Sequence, residues 1–161
     1  MQPASAETGR QETFESSTAA VERGTGRYLV AIYWATTATD GRVRTGDVSC
    51  RLGVAPASVT EMFAKLTDAG FVRYERYDGV ELTERGERLA QRLAWRQCVV
   101  ETFFCRETGA PLESDVAYDL AYALPIAGIE RLNARVRTPC PHACQSVAGG
   151  VDACHLAARF C

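Results

Sequence analysis

Residues 45–70 read TGDVSCRLGVAPASVTEMFAKLTDAG, and this stretch decides the fold. Gly53-Val54-Ala55-Pro56 is a turn signal between two segments of helical periodicity. The first, residues 45–52, is short; Thr45 is suited to cap it and Gly53 to end it. The second, residues 57–69, places Val59, Met62, Phe63 and Leu66 on one face and stops at Gly70. Two short helices around a tight turn are helix-turn-helix geometry, whose second helix suits the major groove of DNA while the first braces it.

The flanking sequence supplies the rest of such a module. Upstream, Tyr28, Leu29, Ile32, Tyr33 and Ala35 recur at spacings that predict an amphipathic helix over residues 26–37. Downstream, two β-prone runs, residues 71–77 and 80–82, flank Asp78-Gly79, a dipeptide fitted to a two-residue hairpin turn. Such a hairpin is a wing. Thr83 is placed to cap a long helix over residues 84–106, with Leu89, Leu93, Val100 and Phe104 as its apolar stripe. Ser114 is placed to cap a further helix, and Pro125 to start another over residues 126–136. Neither can bury its apolar face alone, which predicts a homodimer with Leu120, Leu124, Ile129 and Leu132 at the interface.

The expected fold class is therefore mostly α with a small β-hairpin wing. A tail (residues 1–24) precedes the winged helix-turn-helix and the start of the connecting helix (25–96). A helical dimerisation domain (97–137) and a Cys/His-rich segment (138–161) follow.

Composition is that of an ordinary soluble globular protein: 47% of residues are hydrophobic and 24% charged, and no run approaches the roughly 20 apolar residues of a membrane span. Residues 1–24 have neither a basic start nor an apolar block, so they read as a disordered tail rather than a signal peptide, and the cytoplasm is the expected location. The net charge of −2 divides into −2 for residues 1–26, +2 for 27–96 and −2 for 97–161, a mildly basic middle.

Leu52 to Met62, then Lys65-Leu66 and Gly70-Phe71-Val72, resemble the manganese-regulator branch of the diphtheria-toxin-repressor (DtxR/MntR) family. So do the wing, Tyr74-Glu75-Arg76-Tyr77-Asp78-Gly79-Val80-Glu81, and the Leu82-Thr83-x-x-Gly86 element behind it. The similarity covers residues 26–136. It implies a DNA-binding transcriptional regulator, a repressor rather than an enzyme, acting as a homodimer on a palindromic operator and serving metal homeostasis.

In such domains the start of the second helix faces base edges, which nominates Ala55, Ala57, Ser58, Thr60 and Glu61. Glu61 has a plainer reading as an exposed partner of Lys65, four residues on. Arg42, Arg44, Lys65, Arg73 and Arg76 are candidates for phosphate or minor-groove contact.

The resemblance also implies a metal site: a carboxylate pair on the first helix, a His and a carboxylate on the connecting helix, and three ligands on the dimer helix. Those positions fall on Arg27 and Val30, on Gln97 and Glu101, and on Tyr118, Ala121 and Tyr122. Glu101 alone keeps a ligand type, with Asp119 a substitute one place over, so the usual sensor is expected to be absent. Cys98, Glu101 and Cys105 share a helix face at spacings of three and seven and form a secondary candidate.

Cys140, His142, Cys144, Cys154, His155 and Cys161 crowd the last segment. Their donors suit a transition-metal ion, zinc or iron first, or an iron–sulfur cluster. A thiol–disulfide switch and plain unliganded cysteines are the other readings. Seven cysteines without a secretory signal imply a reducing compartment rather than structural disulfides. The expected regulator thus answers to metal or redox state through cysteines. The alternative is a metal-independent winged helix answering to a small ligand in a pocket near Tyr118 and Tyr122, and a redox or metal carrier built on the tail is a third reading.

Overall fold

The computed structural model describes residues 21–36, 39, 41–138 and 144. Its helices are α1 (Arg23–Thr36), α2 (Thr45–Leu52), α3 (Pro56–Asp68), α4 (Glu84–Phe103), α5 (Ser114–Ala123) and α6 (Ile126–Val136). Strands β1 (Val72–Glu75) and β2 (Gly79–Leu82) form an antiparallel hairpin between α3 and α4.

The helix boundaries follow local chemistry, with corrections to the sequence reading. Helix α1 starts at Arg23 and Val21 is buried, so residues 21–24 belong to the fold and not to a tail. Thr45 is the first helical residue of α2 and not its cap; the Asp47 carboxylate accepts from the Arg44 backbone N–H at 3.1 Å. Pro56 opens α3, where its missing N–H costs nothing. Gly70 takes a left-handed φ of 74°, and the Gly70 and Phe71 N–H groups donate to the carbonyls of Thr67 and Leu66, closing that helix. Glu113, not Ser114, occupies the cap position of α5.

The wing also differs from expectation. Glu75 pairs with Gly79, leaving a three-residue loop, Arg76-Tyr77-Asp78, in place of a two-residue turn at Asp78-Gly79. The left-handed positions are Tyr77 (φ 73°) and Gly79 (φ 109°). Val43 exchanges both backbone hydrogen bonds with Val80, at 2.8 and 2.9 Å, adding a one-residue third strand that no sequence pattern announces. A Cβ on Gly79 would lie 2.6 Å from the Val43 carbonyl oxygen, so this pairing needs glycine there.

Behind the wing, Thr83 ties three elements together. Its hydroxyl donates to the Gly70 carbonyl at 2.8 Å and accepts from the Gly86 N–H at 3.1 Å, and its own N–H donates to the Phe71 carbonyl at 2.9 Å. A methyl on Gly86 would overlap that Phe71 carbonyl, which is why the Leu-Thr-x-x-Gly element ends in glycine.

Helix α4 is the spine of the molecule, packed against α1 on one side and against α5 and α6 on the other. Trp95 and Val99 of α4, Leu29, Ile32 and Tyr33 of α1, and Phe63 and Leu66 of α3 are fully buried. Each large apolar side chain so enclosed contributes roughly 1.5–3 kcal/mol. At its C-terminal end α4 passes into a π-helical turn, Phe104–Thr108, that stops at Gly109 with φ 68°. The architecture is mostly helical with a winged helix-turn-helix. No helix among the described residues is long and apolar enough to cross a membrane.

Candidate nucleic-acid interface

Helix α3 buries Val59, Phe63 and Leu66 and turns the opposite face outward. That outward face carries Ala57, Ser58, Thr60, Glu61 and Lys65, with Ala55 at its cap, and all six are exposed. The Thr60 hydroxyl donates to the Pro56 carbonyl at 3.1 Å, which holds its rotamer and leaves its oxygen lone pairs outward. Glu61 and Lys65 form an exposed ion pair at 3.0 Å, the plainer of the two readings of Glu61.

The arginines fall into two groups. Arg42 is enclosed by the wing: its guanidinium meets Glu75 at 2.8 Å, Asp78 at 3.2 Å and Glu81 at 3.6 Å. Three carboxylates around one cation fix the wing loop, so Arg42 acts there before it can reach a phosphate. Arg73 leans on Glu81 at 3.4 Å. Arg44 and Arg76 are exposed, and the Arg76 guanidinium lies 5.3 Å from the centroid of the Tyr77 ring. Tyr77 is 95% exposed at the tip of the wing, on a strained left-handed backbone. Sequence reading missed it because an aromatic in a β-prone run reads as strand.

The positions at which the resemblance puts metal ligands are filled by other chemistry. The Tyr118 hydroxyl donates to the Arg23 carbonyl at 3.0 Å and the Tyr122 hydroxyl to the Val21 carbonyl at 2.7 Å. Burial holds the Tyr118 phenol well above its ordinary value, the Tyr122 phenol adds to the rise, and Arg27 opposes it. Both hydroxyls are hydrogen-bond donors here, and Arg27 is a cation. Gln97 Nε2 donates to Glu101 Oε1 at 2.9 Å and to Ser114 Oγ at 2.8 Å, so the one carboxylate left in the set is held by an amide. Asp119 pairs with Arg23 at 3.2 Å on the surface. No group of three or more His, Cys, Asp or Glu able to hold a metal ion occurs among the described residues. A divalent cation therefore does not fit the family positions.

The structure does not gather the secondary candidates either. Cys98 and Glu101 are buried, but Cys105 is exposed, because the π turn beginning at Phe104 breaks the 3.6-residue register that would have kept it on their face. Of the cysteines and histidines of the C-terminal segment only Cys144 lies among the described residues. It is buried, with its N–H donating to the Gln91 carbonyl at 2.9 Å and its carbonyl accepting from the Tyr33 hydroxyl at 3.0 Å. Cys140, His142, Cys154, His155 and Cys161 lie outside the described residues. Cys50, which the sequence reading passed over, is disulfide-bonded, against the expectation of reduced thiols throughout.

The expected dimer residues also divide. Ile129 is fully buried within the chain's own core, packed there because α6 folds back on α4, and is not available to a partner. Leu124 and Leu132 are half-buried, and Leu120 is exposed beside Val116 on α5.

Residues 22–80 match the family model described as the iron dependent repressor, N-terminal DNA binding domain. Over 66 residues the chain is 42% identical to the HTH-type transcriptional regulator MntR of Lysinibacillus sphaericus (strain C3-41), an alignment covering 41% of this chain and 48% of that protein. Among solved structures, a manganese-dependent transcriptional repressor in complex with manganese superposes with a TM-score of 0.63 at 28% identity, covering 71% of this chain and 53% of that one. The manganese regulator SloR superposes with a TM-score of 0.62 over 73% of this chain and 56% of its own; at 24% identity it speaks for the fold alone. The chain thus spans about half the length of the relatives it matches.

Proposed function

From the match of residues 22–80 to the iron dependent repressor DNA binding domain, we propose that the chain is a DNA-binding transcriptional regulator of the DtxR/MntR type. It would act in the cytoplasm, by binding and not by catalysis, as a homodimer on a palindromic operator. The observation that carries the reading is the face of α3: Ala57, Ser58, Thr60 and Lys65 stand exposed in a row while the apolar half of the same helix is fully buried. Small and hydroxyl side chains at the start of a recognition helix let its backbone approach base edges closely. The wing tip, with Arg76 and Tyr77, lies on the same module and suits the adjacent minor groove or phosphates.

The relatives are named for manganese, but Arg27, Val30, Gln97, Tyr118, Ala121 and Tyr122 cannot supply such a cation with ligands. A transition-metal response in this chain would fall to the Cys/His-rich segment, where thiolates favour zinc or iron(II) over manganese, and a redox response to those thiols or to the Cys50 disulfide. The alternative, a regulator answering to a small organic ligand, is favoured by a cleft between α1, α2 and α5. Footprinting of the full chain on genomic fragments, with and without zinc and with and without reductant, tests the reading. A protected site with two-fold symmetry supports it; no protection under any condition overturns it.

A further inference from the structure

The cleft lies where the helix-turn-helix meets the helices behind it, and it encloses about 380 Å³. Val30, Ala31 and Trp34 of α1 and Leu52 at the end of α2 give it an apolar wall. Arg27, one turn before Val30, stands at the same wall and is only partly exposed. Glu113 and Asp115, at the N-terminal end of α5, line the same cleft, as does a second arginine, Arg51 of α2, which already has a partner of its own. Among the described residues none of Arg27, Glu113 and Asp115 makes an ion pair. Arg27 makes no hydrogen bond either, whereas most arginines of the wing and of α4 are engaged.

Opposite charges that share one cleft without touching leave a gap between them. A metal cation would meet Arg27. A simple anion would meet Glu113 and Asp115. A molecule carrying one charge of each sign satisfies both sides, and its apolar body has the Val30–Trp34 wall to cover. The volume admits a molecule of amino-acid size.

We propose that this cleft binds a small zwitterionic ligand of the α-amino-acid class with an apolar side chain, its carboxylate on Arg27 and its ammonium toward Glu113 and Asp115. Ser114 Oγ, which accepts from Gln97, keeps its own proton to donate to the carboxylate. The site would be the sensor of the regulator proposed above and rests on that reading only for its consequence. Its walls join α1 and α2 of the DNA-binding module to α5 behind it, so a bound ligand would favour one relative position of the two.

The test is calorimetry on the full chain with L-leucine, L-methionine and L-phenylalanine as probes, each beside its N-acetyl derivative and its amide. At least one zwitterion is expected to bind saturably at one site per chain, with both single-charge derivatives weaker by at least about tenfold. Arg27→Gln should lose at least about tenfold in affinity while Arg27→Lys retains part of it. Glu113→Gln combined with Asp115→Asn, on the exposed rim, should erase the preference for the zwitterion over the N-acetyl form. Absence of saturable binding by all three amino acids, or equal binding of the derivatives, or an unchanged R27Q, overturns the proposal. No DNA is present in this assay, so its failure leaves the DNA-binding reading intact, and failure of footprinting leaves this site intact.

Discussion

The Tyr118 hydroxyl donates to the carbonyl of Arg23, 3.0 Å away, and so ties α5 to the first turn of the helix that opens the DNA-binding module. Gly26 lies beneath the contact, and a methyl there would overlap the same hydroxyl. Tyr118→Phe should therefore destabilise the fold by about 1 kcal/mol in chemical denaturation. The cost should depend on pH. Tyr118 is held neutral in the folded chain, its pKa raised above the ordinary 10.0, so the unfolded chain ionises first. The stability it contributes is complete below about pH 10 and falls as pH rises beyond that. The gap between wild type and Tyr118→Phe should thus hold up to about pH 10 and narrow above it; a gap that widens contradicts the assignment.

Gly86→Ala should be far more costly than a glycine-to-alanine change in a helix usually is. The exchange ordinarily stabilises a helix by about 1 kcal/mol. Here the methyl would meet the Phe71 carbonyl, and α4 must move away from the wing. A net loss of about 1–3 kcal/mol is expected from such overpacking, read as a lower denaturation midpoint together with weaker DNA binding.

Arg96 is buried, and its Nε donates to the Ala121 carbonyl at 3.0 Å while a second nitrogen donates to the Leu124 carbonyl. It closes the C-terminal end of α5, whose last carbonyls have no helical partner. Arg96→Met fills the space but leaves both carbonyls without their donor, at a cost of about 1–3 kcal/mol. Urea unfolding that is unchanged in Arg96→Met would refute this account of the α5 terminus.

Two substitutions separate the chain's own core from its proposed partner face. Ile129→Asp places a carboxylate in a fully buried site and should prevent folding. Leu120→Asp, at a residue 38% exposed, should leave the circular dichroism of the subunit unchanged and shift its sedimentation to that of a monomer. A Leu120→Asp protein that sediments like wild type removes this face from the dimer.

The fold was legible in the sequence wherever one short signal fixed it. Gly53 and Pro56 mark the turn between α2 and α3, and Thr83 with Gly86 marks the start of α4. What sequence missed is built from single residues or from contacts distant in the chain. The Val43–Val80 bridge has no periodicity to detect. The wing loop shifted because Tyr77 accepts a left-handed backbone, which no dipeptide rule foresees. Ile129 was read as interface because helical spacing tells an apolar face from a polar one, but not which neighbour covers it. That Arg27 and Val30 offer a cation no side-chain ligand follows from residue type alone, whatever their geometry. The shared cleft of Arg27 and Glu113 was not legible, because they lie 86 positions apart in the chain and only the packing of α5 beside α1 and α2 brings them to one cleft.

The central claim, that the exposed face of α3 reads DNA, is tested most directly by titrating wild type and Ser58→Asp with a duplex carrying the footprinted site over a range of salt concentrations. Ser58 is exposed and touches nothing in the core, so the substitution should leave circular dichroism and the denaturation midpoint unchanged. Wild-type affinity should fall steeply and linearly in log–log form with salt, and Ser58→Asp should lose specific binding, by at least about a hundredfold, through repulsion at the groove. A folded Ser58→Asp that binds the duplex as tightly as wild type would contradict the account.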